Sequence, residues 1–314
     1  MENKTIFVTH NSVFHADEVM ATAILQYVFG KGKIVRTNNP YEYKDNPEAI
    51  IYDIGYGEFD HHQKGGNGKR DNGIPYAACG LIWDKYGIKC IESIIKSMHL
   101  YLSESDTLDV WKMINESIIQ GIDANDNGYR PDPIPSVKYL SISAIISSLN
   151  NIPYYGGVED PAQDLLFDDA VDICSKILSA NIKRFADMKN SENVLRSLIK
   201  ERNNKHILVL KRYTPWVRVV TENTDKDEIW YVVFPSSRNK GEWNMQAVPL
   251  SIDTFEQRHP VPKSWWGGNK ETLPKITGVK TASFCHPSTG FLTAAGNFED
   301  ILKLAEIACR EDDD

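Results

Sequence analysis

Apolar residues in the first 130 positions switch between two spacings. Lys4–Thr9 is a short apolar run that reads as a buried strand stopping at His10. From Ala16 to Phe29 the residues Met20, Ala23, Ile24, Tyr27 and Val28 recur at helical spacing. Asp17 and Glu18 fall in the first turn of that helix, where its dipole favours carboxylates, and Gly30 can end it. Ala49-Ile50-Ile51-Tyr52-Asp53 predicts a second strand with Asp53 at its carboxyl end and Gly55 and Gly57 just beyond. Helices are predicted over Tyr76–Lys85 and Thr107–Ile122, the second striped by Val110, Trp111, Ile114, Ile118 and Ile119. Strands alternating with helices predict an α/β domain built on a parallel sheet.

From Asp164 to about Asn203 the pattern is helical and charged, and beyond it the character changes. His206–Leu210, Trp216–Val220, Ile229–Phe234 and Met245–Leu250 are short β-rich runs between polar turns. Ala282–Cys285 and Gly290–Leu292 follow as strands, and Phe298–Ala308 as a helix. The expected organisation is a metal-binding α/β domain over residues 1–190, a helical connector over 191–205 and a smaller α+β, substrate-binding domain over 206–314. The acidic tail Glu311-Asp312-Asp313-Asp314 is expected to fray.

The chain is 314 residues long, 41% hydrophobic and 25% charged, which suits a folded protein of about two domains. With 35 Lys+Arg against 43 Asp+Glu its net charge is −8, so a uniformly basic nucleic-acid coat is excluded while a local basic groove is not. No apolar run reaches the roughly 18 residues that span a bilayer, and the short Ile6-Phe7-Val8 run is too brief for a secretion signal. Five scattered cysteines with no CxxC pair argue for free thiols in a reducing compartment, so the cytoplasm is expected, with the nucleus open. Neither a P-loop nor a GxGxxG or GxSxG motif occurs.

Chemistry concentrates in four segments: His10 to Glu18, Tyr52-Asp53-Ile54-Gly55, Phe59-Asp60-His61-His62-Gln63, and Gly121 to Gly128 with Asp123 and Asp126. Four of the eight histidines lie within the first 62 positions. In an open parallel sheet, ligands gather outside the carboxyl ends of the strands, where His10 and Asp53 are expected. Taken singly, each residue has a plain structural explanation as a hydrogen-bonded histidine, a helix-dipole carboxylate or a turn. Their joint occurrence favours a site. Mixed imidazole and carboxylate donors suit Mn²⁺, Fe²⁺ or Zn²⁺ better than Ca²⁺ or Mg²⁺. Six or seven donors exceed one tetrahedral site and fit two ions about 3.5–4 Å apart sharing a carboxylate, as in metal-assisted phosphoester hydrolysis.

The ordered set HxxxxHxDE, DIG, FDHHQ and DAxDNG resembles the DHH phosphoesterase superfamily, and within it the melanocyte proliferating gene (Myg) family of metal-dependent hydrolases. Val248-Pro249 followed by Phe255, the stretch from Pro262 to Trp265-Trp266, Ile276-Thr277-Gly278 and Phe284-Cys285-His286 extend the resemblance over nearly the whole chain. The resemblance implies a DHH-like N-terminal domain, two divalent ions, Mn²⁺ before Mg²⁺, Fe²⁺ or Zn²⁺, and 3′-to-5′ exonuclease action on single-stranded RNA. It assigns His10, His15 and Asp17 to the first ligand motif and Asp53 to the bridge. His61 and His62 become the motif-three imidazoles, and Asp123 or Asp126 the last ligand, Asp123 being preferred. Asp53, His61, His62 and Asp123 form the expected catalytic set. Where relatives carry a Gly-Gly-His run, this chain has Thr293-Ala294-Ala295-Gly296-Asn297.

For substrate contacts in the second domain the candidates are His286, Ser288 and Arg258. Trp265-Trp266 is either a base-stacking platform or packed core. Lys64–Gly73 reads as a mobile loop and a candidate lid. Two rival functions stay open. One is hydrolysis of short oligonucleotides, nucleotide bisphosphates or pyrophosphate; the other is a metal-stabilised, non-enzymatic binding protein.

Overall fold

Strand β1 (Ile6–Thr9) lies between β2 (Lys33–Arg36) and β3 (Ala49–Ile51) in a parallel sheet of order β2-β1-β3, pairing Ile6 with both Lys33 and Ala49. The structure is a computed structural model that describes residues 5–129, 140–151, 161–254 and 256–310. Lys4, Phe255 and the acidic tail lie outside the described residues. The chain divides into two compact units, Met1–Asp187 and Met188–Asp314. Strand β2 is not apparent from the pattern. Only Ile34 and Val35 are apolar between Lys33 and Arg36, and pairing with β1 rather than a hydrophobic run makes it a strand.

Helix α1 (Ala16–Phe29) has the predicted bounds, with every residue from Ala16 to Leu25 buried, and it packs along α2 (Ala78–Ser97). The small side chains of Ala16, Ala21 and Ala23 allow this close burial on several faces. Helix α2 continues well past the expected end at Lys85, through Gly87. A Cβ at Gly87 would lie 2.7 Å from Trp83 and from Trp111, so this glycine serves close packing rather than helix termination. The two indoles stack there, 6.4 Å apart and 11° from parallel.

Helix α3 (Glu104–Ile114), a π-helical turn (Asn115–Ile119) and α4 (Gln120–Asp126) run on from one another. The helix therefore extends past the expected end at Ile122, and Asp123 lies within it rather than after it. Helix α5 (Ile142–Ser147) is capped by Ser141, which accepts from the Ala144 N–H. Helix α6 (Pro161–Glu201) buries Phe167, Val171, Cys174 and Leu178 in the first unit and Leu195 and Ile199 in the second.

The second unit holds a five-stranded mixed sheet of order β4-β5-β6-β8-β7, from β4 (Ile207–Val209), β5 (Tyr231–Pro235), β6 (Trp243–Ala247), β7 (Ala282–Cys285) and β8 (Leu292–Ala295). Only β4 and β5 run parallel. Alternation along β5 sends Tyr231 and Val233 into one core cluster and Val232 and Phe234 into another, so the sheet is covered on both faces. One cluster includes Leu273 of α8 (Leu273–Thr277) and Ile301 and Leu304 of α9 (Phe298–Ala308); the other includes Leu195 and Ile199. The expected strand at Trp216–Val220 is instead helix α7 (Val217–Asn223). Trp216, Val219 and Val220 are buried at i, i+3 and i+4, a helical stripe that the local β-branched composition conceals.

Thr293–Ala295, the first part of the Thr293–Asn297 stretch, belongs to β8. Trp265 is buried in the core, and the Trp266 Nε1–H donates to the Val261 carbonyl, so the tandem tryptophans pack rather than form an open platform. All five cysteines are free. Among the described residues no helix is long and apolar enough to cross a membrane. Gly87→Ala is expected to cost about 1–3 kcal/mol by overpacking the Trp83–Trp111 contact; chemical denaturation of the two proteins checks it.

Candidate metal centre

Three loops at the carboxyl edge of the parallel sheet build one pocket. His10 directly follows β1, and Asp53 stands two residues beyond β3 with φ +56, a left-handed conformation that Asp enters more readily than most residues. The Asp53 N–H donates to the Phe59 carbonyl at 2.9 Å, and this tie brings His61 and His62 back beside Asp53.

Asp53 is the hub. Its Oδ2 lies 3.4 Å from His10 Nε2, and its Oδ1 lies 3.5 Å from His61 Nδ1 and 3.6 Å from His62 Nδ1. His61 turns its Nε2 to Asp126 Oδ2 at 3.0 Å and stacks on His62, with ring centroids 4.2 Å apart. His10 Nδ1–H donates to the Asn11 carbonyl at 2.9 Å, which leaves Nε2 facing Asp53 and Glu18. Asp60 accepts from the His62 backbone N–H and from its Nδ1–H at 2.7 Å, which leaves the Nε2 lone pair of that half-exposed ring free for a ligand. His15 caps the start of α1 and is more exposed, its ring 5.6 Å from that of His10.

All seven of His10, His15, Asp17, Asp53, His61, His62 and Asp126 line a cavity of about 840 Å³. Asp123, the preferred last ligand by position, does not. Its Oδ2 pairs with the buried Arg70 Nη2 at 2.7 Å and its Oδ1 accepts from the Gly80 N–H at 2.9 Å. Both aspartates lie on α4, and it is Asp126, at the last turn of that helix, that faces the pocket. Asp17 links the two regions. Its oxygens accept from the Ala78 and Cys79 N–H groups at 2.9 and 2.7 Å, while one ligand atom of its carboxylate stays within 4.8 Å of ligand atoms on His61 and Asp126.

Glu18 and Asp60 were not among the expected site residues. Glu18 is buried, accepts from the His15 N–H at 2.8 Å and reaches His10 Nε2 at 3.1 Å. Glu18 closes the HxxxxHxDE motif, a place beside Asp17 that a helix-dipole role also explains, and Asp60 is the first residue of the Asp-His-His triplet. The candidate lid is fastened. Asn67 donates to the Glu58 and Asp60 carbonyls, and Arg70 is held by Asp123 and lies over the Tyr76 ring.

The second-unit candidates are placed as follows. His286 and Ser288 lie on the turn between β7 and β8, where His286 Nδ1 meets the Thr289 hydroxyl at 3.2 Å and Ser288 is exposed. Arg258 is employed structurally. Its Nη1 and Nη2 donate to the Thr224 hydroxyl and to backbone carbonyls that include Thr224, Asp225 and Thr221, which fastens the end of α7 instead of offering a phosphate contact.

Electrostatics fit the donor set to a cation. Burial pushes the Asp17 carboxyl well above its usual range, and Asp53, Asp126 and Asp123 push it further. Burial also raises Asp53, against the pull of His10. Burial opposes charge on His10, but hydrogen bonds to Asp53 and Glu18 outweigh it and raise its pKa to about 11. Asp53 Oδ1, His61 Nδ1 and Glu18 Oε2 are buried without hydrogen-bond partners. Asp53 Oδ1 and His61 Nδ1 lie 3.5 Å apart beside mutually repelling carboxylates, and such lone pairs suit a divalent ion.

The family model MYG1_exonuc, described as an uncharacterised protein family (UPF0160), matches residues 6–309. The chain belongs to this family. A MYG1 protein of Schizosaccharomyces pombe is 28% identical to it over 98% of each chain. Proteins named MYG1 exonuclease from Mus musculus and Homo sapiens are each 25% identical, covering 95% of this chain and 83% and 84% of their own. Among solved structures, a Vibrio pGpG-specific phosphodiesterase aligns over 97% of both chains at 12% identity, with a TM-score of 0.30 that is too low to support an argument.

Two outcomes test the geometry. Asp126→Ala is expected to lower Mn²⁺ affinity at least about tenfold with the fold kept, read by isothermal titration. Asp123→Ala is expected to cost about 3–5 kcal/mol of stability, because it strands the buried Arg70 charge. A pH series tests the electrostatics. A raised His10 pKa keeps its proton through neutrality and an ion needs the neutral ring, so metal binding releases protons and tightens as pH rises. Titrations in buffers of different ionisation enthalpy read the proton count.

Proposed function

We propose that this MYG1-family protein is a metal-dependent phosphodiester hydrolase, a 3′-to-5′ exonuclease on single-stranded RNA whose water is activated by two divalent ions, Mn²⁺ first. The hydrolytic phosphoesterase class rests on family membership and on the exonuclease name its mammalian relatives carry. The observation that carries the site assignment is Asp53, a buried carboxylate approached by imidazoles from two separate loops, with one oxygen toward His10 and the other toward His61 and His62. One carboxylate offering its two oxygens in two directions is what a pair of ions sharing a ligand requires.

The residues divide the work. His10 and Glu18 face one side of Asp53, while His61, Asp126 and Asp17 face the other. When bound, divalent ions lower the pKa of a water and polarise the phosphate. Asp60 holds the His62 ring with Nε2 free, so His62 is suited to meet the phosphate or the leaving oxygen. His286 and Ser288 remain candidates for gripping the rest of the strand; Arg258 does not. A cavity of about 840 Å³ favours the end of a strand or a short oligonucleotide over a long enclosed one, so short oligonucleotides are the second reading.

The test uses a 5′-labelled single-stranded RNA with Mn²⁺, with EDTA, and with Asp53→Ala. A ladder of shortening products that EDTA abolishes and the variant loses by orders of magnitude is expected. Full activity of the folded variant would remove Asp53 from the mechanism. Cleavage of dimers to pentamers alone would select the second reading.

A further inference from the structure

One wall of the pocket is unlike its floor. Pro40 and Tyr41, on a 3-10 turn (Pro40–Tyr43), and Ile54 and Tyr56, on the loop after Asp53, border the same cavity as the imidazoles and carboxylates. The two segments touch because Gly55 lacks a side chain: at φ +89, a Cβ there would lie 3.2 Å from Pro40 Cγ. Tyr41 and Tyr56 are 62% and 65% exposed, so burial does not account for either aromatic ring.

Tyr56 also sits where a tyrosine is disfavoured. Its φ is +57, a left-handed conformation that glycine adopts freely and a bulky residue enters at a cost. The conformation is held by Asp60, whose Oδ2 accepts the Tyr56 N–H at 2.6 Å while Oδ1 accepts the His62 backbone and ring N–H groups. One buried carboxylate thus fixes both the His62 imidazole and an exposed aromatic ring at the edge of the same cavity.

We propose that the Tyr56 side of this pocket, with Tyr41 and Pro40, is a nucleobase-stacking wall that takes the base of the terminal nucleotide while its phosphate lies on the histidine and carboxylate floor. The inference rests on the phosphodiester reading and deepens it, by making the preferred substrate one that carries a base at the end being cleaved. Stacking on an aromatic face accepts every base, so the wall confers preference for nucleotides without preference for sequence. Its effect is on substrate binding, because the ring does not touch the reacting atoms.

Tyr56→Gly removes the ring at a backbone position that glycine favours, so folding is not put at risk, and Tyr56→Phe keeps the ring. Two readouts are used on holo-protein with Mn²⁺. The first is KM and kcat on single-stranded RNA with an ordinary or an abasic 3′-terminal nucleotide. The second is quenching of 2-aminopurine riboside 5′-monophosphate, a mononucleotide whose fluorescence falls when its base stacks. Wild-type and Tyr56→Phe proteins are expected to quench the probe and to show about a tenfold lower KM for the base-bearing end. Tyr56→Gly is expected to lose both effects with kcat little changed. Equal quenching by Tyr56→Gly, or equal KM for the abasic end in the wild type, would overturn the wall and leave the phosphodiester reading standing. Tyr56-dependent quenching without cleavage of any RNA would keep the wall and overturn that reading instead.

Discussion

Carboxylates buried together repel one another, and this constraint organises the first unit. Asp17, Glu18, Asp53, Asp60 and Asp123 are all buried, and Asp126 joins them at the pocket. The protein meets part of this charge itself. Arg70 answers Asp123, and backbone N–H groups answer Asp17, Asp60 and Asp123. Asp53 Oδ1 and His61 Nδ1, on residues that line the pocket, stay without hydrogen-bond partners, as does the buried Glu18 Oε2 beside His10 and His15. Cations bound there would neutralise the remainder, so the same surplus that costs stability in the bare protein becomes affinity for metal.

The amino end of α2 is the device that makes this arrangement affordable. Its three successive N–H groups, from Ala78, Cys79 and Gly80, are taken by Asp17 and Asp123. A helix start is a natural anion site, and here its anions are the protein's own side chains. Gly80 is needed because a Cβ there would fall 1.9 Å from Asp123 Oδ2. Arg70 and Asn67 then tie the segment after the Asp-His-His triplet to this buried framework.

Much of this was legible in the chain. The bounds of α1, the end of β1 before His10, and the gathering of Asp53 and the Asp-His-His segment just beyond the strands follow from local periodicity and from where ligands sit on parallel sheets, although β3 ends at Ile51, two residues before Asp53. Four features were not. Strand β2 exists through pairing with β1, and α7 through the burial of Trp216, Val219 and Val220, neither of which composition records. The choice between Asp123 and Asp126 depends on which side of α4 meets Arg70 and the start of α2, contacts distant in sequence that local spacing does not record. Arg258 looked like a free cation in sequence because the carbonyls it binds lie more than twenty residues away.

The central claim is that Asp53 is shared between two ions. Anomalous X-ray diffraction from crystals grown with Mn²⁺ tests it most directly. Two peaks about 3.5–4 Å apart are expected, one on each side of Asp53, the first toward His10 and the second toward His61 and Asp126. A single ion away from Asp53, or none in the pocket at saturating Mn²⁺, would contradict it.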